Sequence, residues 1–71
     1  MIRTPVVSHN VAEVGYSHGT LEVAFKYKNG VSVYQYFNVP EDLYNGLMEA
    51  EHPSTYINTH IKGAYESKKV E

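Results

Sequence analysis

Four side chains of this 71-residue chain have the chemistry to read a phosphorylated ligand: Arg3, Ser8, Asn58 and Lys62. Asn58 and Lys62 stand four apart, a spacing that places them on one face of a helix. Arg3 and the Ser8 hydroxyl are expected to approach that face from the N-terminal segment. An amide, cations and a hydroxyl can share the oxygens of a phosphate and the edge of a base. The chain also carries seven tyrosines. Tyr34 and Tyr36, in the stretch VYQYFNVP, fall on the same face of a strand. Exposed there, they could stack on bases at about 1–3 kcal/mol per base. Tyr16 and Tyr65 complete the candidate ligand set.

The competing reading puts Tyr34 and Tyr36 in the core, under the helices, with their hydroxyls at the rim. Their strand's other face offers Val33, Gln35 and Phe37, which is only partly polar. If the tyrosines are inside, Ala24, Val33 and Phe37 form an apolar patch on the open side of the sheet, and such a patch is expected to be a subunit interface.

Other chemistries find no support in the residues. There is no cysteine, no glycine-rich phosphate loop and no Ser-His-Asp set at a recognisable turn. Glu41 and Asp42 are explained by a helix start. His9, His18, His52 and His60 lack the short helical spacing of a zinc site. The expectation is a binder without catalysis, metal or cofactor.

These side chains need a scaffold, and the apolar pattern supplies one. In AEVGYS, Val14 and Tyr16 share a face, and TLEVAFKY sets Leu21, Val23, Phe25 and Tyr27 against Glu22, Ala24 and Lys26. Such alternation is the pattern of half-buried strands. His18-Gly19 and Lys28-Asn29-Gly30 mark turns, so the three strands form an antiparallel meander. Pro40, Glu41 and Asp42 suit a helix start, and Leu43, Tyr44, Leu47 and Met48 give that helix one apolar face. Gly46 weakens it by about 1 kcal/mol against alanine. EHPS breaks the chain, Ser54 is positioned to cap a second helix, and Ile57, Ile61 and Tyr65 form its stripe. The expected fold is α+β: a three-stranded antiparallel meander followed by two α-helices on one face. It forms one domain over 1–71, with a core from about 6 to 65 and a frayed tail over 66–71.

Size and charge narrow the partners. A chain this short has a marginal core and lacks disulfides or metal as staples, so a homo-oligomer is expected. The segment 1–40 carries three cations against two anions, 41–52 four anions alone, and 53–71 three cations against two, for a net charge of -2. Long nucleic acid calls for a clearly basic face, so this balance argues against RNA as the partner. The N-terminus has no signal-peptide run and no stretch approaches a membrane span, so a cytoplasmic location without membrane contact is expected.

Several pieces, in order, resemble the KTSC domain family. They are Val6 and Ser8, Val14-Gly15-Tyr16, Leu21, Val23 and Phe25, the central Tyr34 and Tyr36, Val39-Pro40, and Tyr56, Ile57, Asn58, Ile61, Lys62 and Tyr65. That family occurs at the C-terminus of some lysyl-tRNA synthetases and as short stand-alone proteins of bacteria and their phages. The resemblance implies RNA binding as one function. The chain departs from the family pattern between the helices, where His52, Pro53 and Ser54 replace a Ser-x-Gly turn. Few cations and many tyrosines favour capture of a small nucleotide at an oligomer interface, for which a phage-encoded sponge for a cyclic dinucleotide signal is one form. An RNA or tRNA accessory module and a protein-interaction or inhibitor module are the alternatives.

Overall fold

The computed structural model describes residues 2–71 and shows an antiparallel sheet with two helices on one face. The meander comprises β2 (Val11–Ser17), β3 (Thr20–Tyr27) and β4 (Gly30–Tyr36), extended by β1 (Thr4–Pro5) and β5 (Ser67–Lys69). The five strands run in sequence order β1-β2-β3-β4-β5. Two of these strands correct the sequence reading. Thr4 and Pro5 pair with Val14 and Glu13, and the tail read as frayed pairs Ser67, Lys68 and Lys69 with Tyr36, Gln35 and Tyr34. Strands of two and three residues carry no periodicity that could reveal them.

Local chemistry explains the turns. His18 and Gly19 both take positive φ, +49° and +83°, as a two-residue hairpin of matched twist requires. At the second turn only Gly30 does so, at +134°. In β2 a bulge between Val11 and Glu13 shifts the register by one residue. Val11 and Val14, three apart, therefore both point inward and are fully buried. Simple alternation would have put one of them outside.

After β4, Asn38 adopts φ +61°, a conformation asparagine tolerates. The Val39 N–H is then fixed to the Gly19 carbonyl at 2.8 Å. Helix α1 (Glu41–Glu49) starts after Pro40, and Leu47 is buried in the core with Leu43, Tyr44 and Met48 packed against it. Gly46 has a reason beyond propensity: a Cβ there would collide with the Tyr56 hydroxyl, so glycine lets α1 and α2 approach. Helix α2 (Pro53–His60) has buried Pro53 in its first turn and no side-chain cap, which replaces the expected Ser54 cap. It is also shorter than expected. The N–H groups of Ile61 and Lys62 both bond the Ile57 carbonyl and Gly63 turns the chain at φ +80°, so Tyr65 lies beyond the helix.

The core joins Val11, Val14, Leu21, Val23, Phe25 and Tyr36 of the sheet with Val39, Leu47, Ile57 and Ile61. Among the described residues no helix is long and apolar enough to cross a membrane.

Candidate functional site

The register decides where Tyr34 and Tyr36 stand. Tyr36 pairs with Leu21 and Tyr34 with Val23, both fully buried, so the two tyrosines are on the helix-covered face. Tyr36 is buried and Tyr34 half-buried. The helices cover only part of this face. Beyond the end of α2 at His60 the sheet runs on: Phe25 is still covered, at 5% exposed, but Tyr27, the next residue on that face, is 54% exposed.

That uncovered end is a groove of about 250 Å³ lined by Phe25, Tyr27, Tyr34, Tyr36, Lys62, Gly63 and Ser67. Its floor is aromatic: Tyr34 meets Phe25 edge-on at 5.8 Å between centroids, and Tyr27 lies 6.5 Å from Phe25. Lys62 places Nζ 4.8 Å from the Phe25 centroid, within cation–π reach. Burial, with the negative potential of Tyr27 and Tyr34 when ionised, raises the Tyr36 hydroxyl above its ordinary pKa of 10.0. The hydroxyl is therefore a neutral hydrogen-bonding group at physiological pH.

A second recess, about 220 Å³, adjoins the first through Phe25, Tyr27 and Lys62 and adds Asn10, Lys26, Ser54 and Asn58. Lys26 Nζ donates to the Ser8 carbonyl at 2.8 Å. A third, about 360 Å³, shares Asn10 and Ser54 with the second and is bordered by Ser8, His9 and His52. Together they form a furrow from the N-terminal loop, past the end of α2, to β5.

The structure thus gathers Tyr34, Tyr36, Asn58 and Lys62, and it sets the other candidates elsewhere. Arg3 is on the opposite face of the sheet, where Nε lies 3.0 Å from Glu13 Oε1 and 3.5 Å from Glu22 Oε2. Its expected approach to Asn58 and Lys62 is corrected by the short β1 pairing, which carries Arg3 toward the carboxylates. Ser8 borders the third recess, apart from Lys62, and its Oγ accepts from the Asn10 N–H. The Tyr16 hydroxyl donates to the Val39 carbonyl at 2.5 Å and its ring stacks on Tyr44 at 5.0 Å. Tyr65 packs against the core.

The expected apolar patch is also corrected. Ala24 and Val33 are 1% and 2% exposed within a single chain, and only Phe37 of the three stays partly open. Beside them on that face a polar group runs from Arg3 through Glu13 and Glu22 to Gln35, whose Nε2 donates to Glu22 Oε1 at 2.9 Å. Conversely, the sequence reading missed Phe25, Tyr27 and Ser67 as site residues. For Phe25 and Tyr27 the signal was present, since their strand's apolar face runs on for two residues beyond Val23. For Ser67 there was none, because β5 could not be foreseen.

Comparison with known proteins agrees with this architecture. The family model described as KTSC domain matches residues 7–65. A crystal structure of a KTSC domain protein from Yersinia pestis superposes with a TM-score of 0.88 at 30% identity, covering 99% of this chain and 97% of that one. No curated protein matches the chain.

Proposed function

The chain belongs to the KTSC domain family, and from that premise we propose that it is a non-enzymatic binding module that captures a small nucleotide. The observation that carries the reading is Lys62 Nζ held over the Phe25 ring, in a groove floored by Tyr27 and Tyr34. An aromatic floor takes the base, with Tyr34 and Tyr27 offering ring surface at the solvent side. Lys62 meets a phosphate, and Asn58 and the Ser67 hydroxyl offer donors to phosphate or sugar oxygens. The groove is small, which suits one nucleotide and not a long strand.

A second copy of the chain enters this proposal as the cover of the groove, which one chain leaves open along Tyr27. Two copies facing each other would suit a two-fold ligand such as a cyclic dinucleotide, the form a phage-encoded sponge would capture.

The RNA reading gains one observation from the fold. Lys26 and Lys62 border the furrow, Lys28 is in the β3–β4 turn, and Lys69 pairs with Tyr34 at the sheet edge. Four cations at one end could follow a short single strand. Against this stand Glu41, Asp42, Glu49 and Glu51 in and just after α1, which deny the molecule a broad basic face. Salt dependence separates the two, because a strand contacting several phosphates loses affinity steeply with salt.

Native mass spectrometry of the purified protein tests the proposal. It predicts an oligomer that retains a nucleotide mass, released by the Lys62→Ala substitution. A bare monomer that takes up no added nucleotide, while binding RNA with steep salt dependence, would replace it with the RNA reading.

A further inference from the structure

Strand β5 brings a cation, Lys69, to the groove's face of the sheet, where the sequence did not place one. In an antiparallel pair, directly opposed residues project to the same face of the sheet. Ser67 opposes Tyr36 and Lys69 opposes Tyr34, so both are on the groove side, while Lys68 opposes Gln35 on the other. Ser67 already lines the groove. Backbone bonds continue the pairing on both sides of the strand. Val70 N–H bonds the Val33 carbonyl at 2.8 Å, Val33 N–H bonds the Glu71 carbonyl at 3.1 Å, and Phe37 N–H bonds the Glu66 carbonyl at 2.9 Å.

We infer that Lys69 is the second cation of the site and that, with Lys62 across the groove, it selects ligands carrying two phosphate groups over those carrying one. This rests on the nucleotide-binding reading and names the ligand class within it: a nucleoside diphosphate, or another nucleotide with two phosphate groups. The two lysines do different work. Lys62 comes from the turn just after α2, beside the aromatic floor, and meets the phosphate nearest the nucleoside. Lys69 is on the exposed edge strand, beyond Tyr34, and meets the outer one. A lysine suits that position because its flexible stem and compact charge tolerate a mobile terminal phosphate. Among the described residues, neither lysine is within salt-bridge distance of a carboxylate, so both charges are available.

The neighbouring lysine supplies the control. Lys68 and Lys69 contribute the same charge to the molecule, one residue apart, but on opposite faces. Isothermal titration with adenosine and guanosine mono- and diphosphates is carried out on the natural protein and on Lys69→Gln, Lys68→Gln and Lys69→Arg. For at least one base the diphosphate is expected to bind about tenfold tighter than the monophosphate, the size of one charge-assisted contact. Lys69→Gln should remove that advantage and leave monophosphate affinity unchanged, whereas Lys68→Gln and Lys69→Arg should keep it. The unchanged monophosphate affinity also shows that β5 has not come away. Equal affinity for mono- and diphosphate, or equal losses from Lys68→Gln and Lys69→Gln, overturns the inference and leaves the nucleotide reading standing. Binding of none of the four overturns the inference, and if a cyclic dinucleotide is refused as well the nucleotide reading falls with it.

Discussion

Lys62 Nζ and the Phe25 ring are 4.8 Å apart, and this pairing joins the turn after α2 to the edge of the core, next to the part of the sheet that the helices leave uncovered. It also separates the two uses of the residue. As a surface cation–π contact it contributes about 0.5–1 kcal/mol to folding. Lys62→Met keeps the apolar stem over the ring and removes the charge. It should lower thermal stability by no more than that amount while abolishing nucleotide binding in a titration, so that stability and binding part company.

Gly46→Ala should destabilise the protein, contrary to the gain of about 1 kcal/mol that alanine gives inside an exposed helix. The added Cβ would meet the Tyr56 hydroxyl, and the Tyr56 ring packs on His60, whose ring centroid is 4.6 Å away. Overpacking of this kind costs about 1–3 kcal/mol. In a Tyr56→Ala background the same change should become stabilising. Denaturant unfolding of the four proteins of that cycle measures it.

Arg3→Ala should cost about 1–3 kcal/mol, below the usual value for breaking a buried pair because Arg3 and Glu13 retain some solvent contact. It leaves Glu22, only 9% exposed, facing Glu13 without a cation. Adding Glu22→Gln should recover part of the loss, which urea midpoints would show. Because Arg3 is on the face away from the groove, nucleotide affinity should not change in either variant.

Alkaline unfolding should report Tyr36. Burial raises the pKa of its hydroxyl above 10.0, so the unfolded chain releases this proton first. The resulting stability is fully present below pH 10.0, the unfolded value, and is lost as pH rises through the folded one. Unfolding free energies of the natural protein should therefore fall in that interval, and Tyr36→Phe should flatten the fall. A pH profile unchanged by the substitution would place the effect elsewhere.

The sequence revealed what repeats and hid what happens once. Leu21, Val23, Phe25 and Tyr27 alternate over seven residues, and Leu43, Tyr44, Leu47 and Met48 recur at helical spacing, so the meander, the first helix and the α+β class were legible. The bulge that turns both Val11 and Val14 inward has no period of its own. Nor has the pairing of Ser67–Lys69, which depends on a turn at Gly63 returning the chain to β4. The site was half legible for the same reason. Asn58 and Lys62 could be joined by spacing, and Tyr34 and Tyr36 by the strand repeat. Arg3 could not be assigned a face until β1 fixed its register beside Glu13 and Glu22.

The most direct measurement is an amide chemical-shift titration of the labelled protein with nucleoside mono- and diphosphates. The account predicts shifts concentrated at Phe25, Tyr27, Tyr34, Lys62 and Ser67, extending to Lys69 with the diphosphate, and quiet resonances at Gly15 and Glu22 on the opposite face. Shifts centred on the Arg3, Glu13 and Glu22 face, or none at all, would contradict it.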